Sequence, residues 1–185
     1  MILFRIVLQM ILILLELAVS ASFAIYAVSM LYSQLKGAPY VPSNQKEIEE
    51  LLKLAGLKPK QLMIELGSGD GRVLRTAVKN YKVQGIGIDV NPVLNSWATF
   101  LAKRQKLLNI KFISKNIFDY DLSKADAIYL FLMPELIDKL ENKFNHEIRP
   151  KTIVISHGFE IKFWKKYLIK KRDHKPFPTY YYLIT

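Results

Sequence analysis

From Ile6 to Leu31 the chain is almost wholly apolar, interrupted only by Gln9, Glu16, Tyr26 and a few serines. Such a run exceeds the roughly 20 residues that a helix needs to cross the hydrocarbon core of a bilayer. It divides the 185-residue chain into an appendage and at most one ordinary domain. The reading is a single transmembrane anchor within residues 1–35, with the bilayer contacted through residues 6–31. A cleaved signal peptide competes, because Val19-Ser20-Ala21 resembles a cleavage site behind the basic Arg5. The apolar run continues well past that site, further than a signal h-region of about 7 to 15 residues would. A mitochondrial presequence fits poorly, since Arg5 is the only base before Lys36.

The formal net charge is +11, and the segment before Lys36 holds one base and one acid, so the remainder carries the whole excess. That part is therefore expected on the positive-inside face, cytoplasmic or matrix, where anionic headgroups would attract it. Cysteine is absent, which excludes disulfides and cysteine-rich metal sites. Glu16 lies deep in the apolar run, which favours either protonation or a polar partner on another helix.

Beyond the anchor, residues 36–60 read as a linker and a short amphipathic helix. Pro39 and Pro42 disfavour helix in Gly37–Pro42. Asn44 and Glu47 form a capping-box pattern ahead of Ile48, Leu51, Leu52 and Ala55, and Gly56 with Pro59 closes the helix. Over residues 61–185, strand-length apolar runs (62–66, 85–88, 110–113, 127–132, 152–156) alternate with helical patterns (73–79, 93–107, 135–148). This alternation predicts an α/β fold with a doubly wound, mostly parallel sheet. Residues 167–170 and 180–184 flank Pro176 and Pro178, and predict an antiparallel C-terminal hairpin at the sheet edge.

The first strand runs into Glu65-Leu66-Gly67-Ser68-Gly69-Asp70-Gly71. A glycine turn between a strand and a helix lies where open α/β sheets bind ligands, and glycines there permit close backbone approach. The spacing is G-x-G-x-G with no G-K-[ST] after it, so neither a P-loop nor the usual dinucleotide fingerprint is met. Glu65 and Asp70 surround the loop with carboxylates, which suits a cationic ligand better than a pyrophosphate. Asp89 ends the second strand about 20 residues on, where an acid can accept both ribose hydroxyls. A nucleoside bearing positive charge satisfies all three observations, and S-adenosylmethionine is such a molecule.

At these residues the chain resembles the class I S-adenosylmethionine-dependent methyltransferases, whose first motif is acid-x-G-x-G-x-G, and a Rossmann-like class I fold is what the resemblance implies. PYVPSNQKEIEELLKLAGLKPKQLMIELGSGDGR, YLFLMPELIDKLENKF and RPKTIVISHGFEIKFW are similar to segments of a narrower group. These are the membrane-anchored lysine methyltransferases of the ATP synthase c-subunit and the adenine nucleotide translocase, with their prokaryotic relatives. The resemblance implies that Glu65, Gly67, Ser68, Gly69, Asp70 and Gly71 border the methionine part of the cofactor and that Asp89 takes the ribose. Asn116, with Ile117 beside it, stands where the family has an acid for the adenine amino group. Tyr40 and Pro42 match a pre-motif that folds over the cofactor or substrate entrance, and Gly158 stands where many relatives have an acid.

For an amine acceptor the site must supply desolvation and orientation. The residues expected to line it are Tyr40, Phe131, Met133, Pro134, His157, Phe159 and Trp164, with Glu160 as a proton acceptor. His157 reads equally as a satisfied structural histidine, and it has no third partner that would make a Ser156–His157 hydrolase site. His146 and His174 lack ligand spacing, so no metal is expected. Nucleic-acid substrates are disfavoured, because Leu132-Met133-Pro134 stands in place of the N/D-P-P-Y signature of base amino-methylating enzymes. A lysine in a membrane protein is the expected acceptor. A membrane-dissolved quinone or lipid, and a non-catalytic scaffold that keeps the cofactor fold, are the alternatives.

Overall fold

A computed structural model describes residues 2–35, 44–173 and 175–185. The linker 37–42, and with it Tyr40 and Pro42, lies outside the described residues, as does His174. Helix α1 (Ile2–Leu35) is long and apolar enough to cross a membrane, and its Ile, Leu, Val and Phe side chains are exposed along most of its length. It is followed by α2 (Gln45–Leu54), β1 (Leu62–Leu66), α3 (Arg72–Tyr81), β2 (Gln84–Asp89), α4 (Pro92–Arg104) and β3 (Ile110–Ser114). Then come β4 (Ala127–Leu130), α5 (Pro134–Lys139), α6 (Glu141–Glu147), β5 (Ile153–His157), a 3-10 turn (Lys162–Tyr167), β6 (Leu168–Arg172) and β7 (Thr179–Leu183).

The seven strands lie in the order β3-β2-β1-β4-β5-β7-β6. The first five are parallel, β7 runs antiparallel against β5, and β6 closes the edge antiparallel to β7. The predicted hairpin is therefore present, its second strand tucked inward and its first left at the rim. Because both sheet faces are covered, β4 is buried at every position and reads as an unbroken apolar run. Alternate residues of each strand serve opposite faces. Ile64, Leu66, Ile128 and Leu130 meet Ile137, Phe144, Trp164 and Tyr182 on one side. Met63, Ala127, Tyr129 and Ile155 meet Ile48 and Leu52 of α2 and Leu74 and Val78 of α3 on the other.

Two local expectations change. The helix predicted over 135–148 is two short helices meeting at Leu140. Ile137, Leu140 and Phe144 are all buried, and their spacing is the same for one helix or two, so periodicity does not show the break. In α2, Asn44 caps as predicted, its side chain accepting from the Lys46 N–H at 2.9 Å. Glu47 is buried and turned into the fold, with Oε1 3.6 Å from His157 Nε2. Helix α2 is also tied to the hairpin, by the Tyr181 hydroxyl donating to the Leu51 carbonyl at 3.0 Å and by an Arg172–Glu50 ion pair.

Candidate active site

The glycine loop folds by using its own N–H groups. Gly67 and Ser68 donate to the Ile88 carbonyl at 2.8 and 3.0 Å, Gly69 donates to an Asp89 carboxylate oxygen at 2.9 Å, and Gly71 donates to the Ser68 carbonyl at 2.7 Å. Gly67, Gly69 and Gly71 all have φ between +53 and +74, the left-handed region that favours glycine. The start of α3 is closed as well: Glu65 accepts from the Leu74 N–H at 3.1 Å and Asp70 from the Arg72 N–H at 3.1 Å. A phosphate-binding loop presents free N–H groups and a bare helix N-terminus. This one has turned most of its N–H groups onto its own carbonyls and acids, which fits a pyrophosphate poorly, as the spacing does.

The acids themselves are unlike one another. Burial drives the Glu65 carboxyl well above the ordinary range, and the nearby Asp70 and Asp89 push the same way, against the Leu74 N–H. Burial would also raise Asp70, but the Arg72 guanidinium, gripping it at 2.8 to 3.1 Å, holds it below its usual value. The charge of Asp70 is thus largely committed to Arg72, contrary to the expectation that it is available to a cationic ligand. Asp89 is raised by burial despite accepting from Asn91 at 2.8 Å and from Gly69. Each of its oxygens keeps a second lone pair for a hydroxyl.

Gly71 also has another employment. A Cβ there would lie 2.2 Å from the Phe112 ring, and one on Gly87 would lie 2.5 Å from the same ring. The third glycine of the motif therefore makes room for an aromatic side chain of β3 as well as holding a positive φ, and a Cβ on Gly67 would lie 3.0 Å from Leu132. The Ser68 hydroxyl is buried, sits in the loop and has no partner among the described residues. With the buried Glu65 and the lone pairs of Asp89, it fits a ligand that carries hydroxyls and positive charge.

Asn91, which the sequence reading passed over, joins three parts of the molecule. Its Oδ1 caps α4 by accepting from Val93 and Leu94, and its N–H holds Asp89. Its amide nitrogen donates to the Ser29 carbonyl at 2.9 Å, and Ser29 Oγ donates to its Oδ1 at 2.9 Å, so the last turns of α1 rest on the ribose-side loop. Asn91-Pro92 directly after the acid is a readable helix start, whereas the contact with Ser29, 62 positions away, leaves no local trace. Asn116 is exposed, and its Oδ1 accepts from the Phe118 N–H at 3.1 Å in a local turn. Ile117 packs into the core with Ile88 and Leu122 rather than lying open beside Asn116.

The residues expected at the acceptor side divide. Phe131, Pro134, Phe159 and Glu160 are partly exposed, and Met133 is more open still. His157 is buried, with Nδ1 2.9 Å from Thr179 Oγ1, Nε2 near Glu47 and its ring 4.6 Å from that of Phe131. That makes it a tie between β5, β7 and α2. Trp164 is 2 % exposed; its Nε1 donates to Asn145 at 2.8 Å and its ring stacks 5.1 Å from Phe144. It belongs to the core, which corrects the pocket role expected of it: the indole is enclosed by aromatics on the side of the sheet that holds α6. Gly158 has φ +87, and a Cβ there would meet the Phe131 ring at 2.7 Å. An acid at this position is therefore incompatible with Phe131 as placed.

A sheet of this order, with a glycine loop closed by acids after β1 and a ribose-type carboxylate after β2, defines a class I S-adenosylmethionine-dependent methyltransferase. Residues 65–167 match the family described as the ANTKMT methyltransferase domain, more than half of the chain, and the chain belongs to that family. It is 31% identical over 144 residues to a protein-lysine N-methyltransferase of Saccharolobus islandicus, a similarity covering 76% of this chain and 89% of that one. It is 28% identical over 127 residues to the human lysine N-methyltransferase of the ATP synthase c-subunit, covering 68% of this chain and 54% of that one, so it spans about half the length of this animal relative. Among solved structures, an RNA methyltransferase of Salinibacter ruber in complex with S-adenosyl-L-homocysteine superposes with a TM-score of 0.73 at 28% identity, covering 78% of this chain and 94% of that one.

Proposed function

We propose that this chain is a single-pass membrane protein, its α/β body on the cytoplasmic or matrix side, that methylates a lysine of a membrane-associated protein. The observation that carries the acceptor class is the similarity across 89% of an archaeal protein-lysine N-methyltransferase; α1 and the net charge of +11 support the anchoring and its direction.

When bound, S-adenosylmethionine supplies an electrophilic methyl group on a sulfonium. Asp89 and the Gly67–Gly69 backbone would hold the nucleoside, and Glu65 and Ser68 would supply polar groups toward its charged end. A free lysine amine, with a pKa near 10.4, is mostly protonated at neutral pH. Partly exposed Phe131, Met133 and Phe159 form a mouth that strips water from the incoming side chain, which lowers that pKa. Glu160 is the carboxylate that takes the proton. A domain of this charge repels a lysine-rich soluble protein, and sharing a membrane with the acceptor supplies the effective concentration that overcomes the repulsion.

The test is incubation of the full chain with native membranes and methyl-labelled cofactor, with Asp89→Ala alongside, followed by digestion and mass spectrometry of lysine. Label on lysine that Asp89→Ala abolishes is the expected result. Label in the organic extract would move the acceptor to a lipid or quinone. A protein that binds cofactor and labels nothing is a scaffold. The Salinibacter ruber structure, an RNA methyltransferase, and the basic charge favour a second reading; nuclease-sensitive label in the same incubation would establish it.

A further inference from the structure

Helix α4 has two apolar stripes. One, with Leu94, Ala98 and Ala102, is buried against the sheet. The other faces outward: Val93, Trp97 and Phe100 are 39%, 51% and 51% exposed and continue into exposed Arg104, a spacing that keeps all four on one side of a helix. The rings of Trp97 and Phe100 stack at 5.4 Å, so the outward stripe is an ordered apolar ridge. Lys103, Arg104 and Lys106 follow, all exposed, and α4 contains no acid.

The ridge is continuous with the anchor. Ser29 of α1 is buried on Asn91, the cap of α4, and a cavity of about 600 Å³ separates Ala24, Ile25 and Val28 of α1 from Val90, Pro92 and Val93. Val93 belongs to both surfaces. Only Ser29 in this stretch is buried on the body, and the helix before the cavity, Ile2 to Phe23, is about 33 Å long at 1.5 Å per residue, enough for a hydrocarbon core of about 30 Å.

We infer that the outer face of α4 docks on the anionic surface of the same membrane that α1 enters, with Trp97 and Phe100 at the headgroup and acyl boundary and the basic end among headgroups. Exposed tryptophan beside lysine and arginine is the composition of an interfacial helix rather than of a protein contact core, from which lysine is depleted. The anchor holds this face beside lipid, so a second contact fixes the body's orientation instead of leaving it to swing. The inference rests on the anchoring reading above.

The experiment uses the full chain in nanodiscs of phosphatidylcholine with one-third phosphatidylglycerol, some lipids bearing a doxyl quencher near the headgroup. The chain has two tryptophans, and Trp164, being in the core, is the internal reference; Trp97→Phe isolates its signal. Trp97 is expected to be quenched several-fold more by doxyl lipid than Trp164 and to be shielded from aqueous acrylamide. Lys103→Glu with Arg104→Glu is expected to reopen it to acrylamide while cofactor binding stays unchanged. An integral chain whose Trp97 is open to acrylamide and silent to doxyl lipid overturns the docking alone. A chain that alkaline carbonate strips from vesicles overturns the anchor and the docking together. Shielding that disappears when each disc holds one copy overturns it in favour of a contact between copies.

Discussion

After β1 and β2 the loops keep polar groups with spare hydrogen-bonding capacity, whereas the end of β5 has its polar groups tied to other parts of the fold. Ser68 is buried without a partner among the described residues, and Asp89 keeps lone pairs beyond its two N–H donors. His157, by contrast, has Thr179 on one nitrogen and Glu47 near the other, and the Ser156 hydroxyl donates to the Phe159 carbonyl at 2.6 Å. The first region has the form of a preorganised receptor, with the buried Glu65 carboxyl held in it by the Leu74 N–H. The second is a brace, and its contribution to a site is the shape of its aromatic rim.

Four measurements sharpen or break this contrast. Trp164→Ala removes an enclosed indole from the brace side and is expected to cost about 3 to 5 kcal/mol in thermal or denaturant unfolding, while the molecules that fold bind S-adenosylhomocysteine as before. A tenfold loss of affinity in the folded fraction would return Trp164 to the site. Asp89→Ala acts on the receptor side and is expected to weaken cofactor binding about 100-fold in calorimetry, the scale of about 2 to 3 kcal/mol for charged hydrogen bonds lost. Unchanged affinity would remove Asp89 from the ribose.

Gly158→Ala is expected to destabilise by about 1 to 3 kcal/mol, because φ is +87 and the new methyl would press on Phe131. Adding Phe131→Ala should restore part of that loss; no recovery would mean the backbone, not the ring, sets the limit.

The smallest expected effect is with pH. Glu65 is raised when folded, so the unbound chain loses stability as pH rises from the ordinary value of 4.5 through the raised one. A cationic ligand favours the ionised carboxylate, so S-adenosylmethionine affinity should climb with pH over that window, by at most about tenfold per unit, and then level off. Glu65→Gln should flatten the profile and stabilise the unbound chain; a slope that persists in this variant would assign the titration to another group.

The same contrast explains what could be read from the sequence. The strands, the glycine loop, Asp89 and the hairpin are local patterns of period, turn chemistry and spacing, and the folded chain places them as the pattern implies. Trp164 looked like a pocket residue because it follows a loop at a strand's carboxyl end, and only the packing of Phe144 and Tyr182 around it shows otherwise. Glu47 fitted a capping box by spacing, yet His157, far along the chain, takes its carboxylate inward. The Asp70 charge was legible, but its capture two residues later by Arg72 depends on how the helix starts. Ser29 on Asn91 is a tertiary contact with no periodic signature, so the joint between α1 and the loop after β2 leaves no trace in the sequence.

Phe112 occupies the volume that side chains at Gly71 and Gly87 would claim, one from below the motif helix and one from the neighbouring strand. Three positions far apart in the chain are thus coupled in one direction: the ring depends on both glycines. A lineage that keeps the ring must keep both glycines, and one that loses it is still held to glycine at position 71 by a φ of +71 and at position 87 by the Ser68 hydroxyl, 2.8 Å from where a Cβ would lie. Among descendants of this sequence, residue 112 should shrink before either glycine changes.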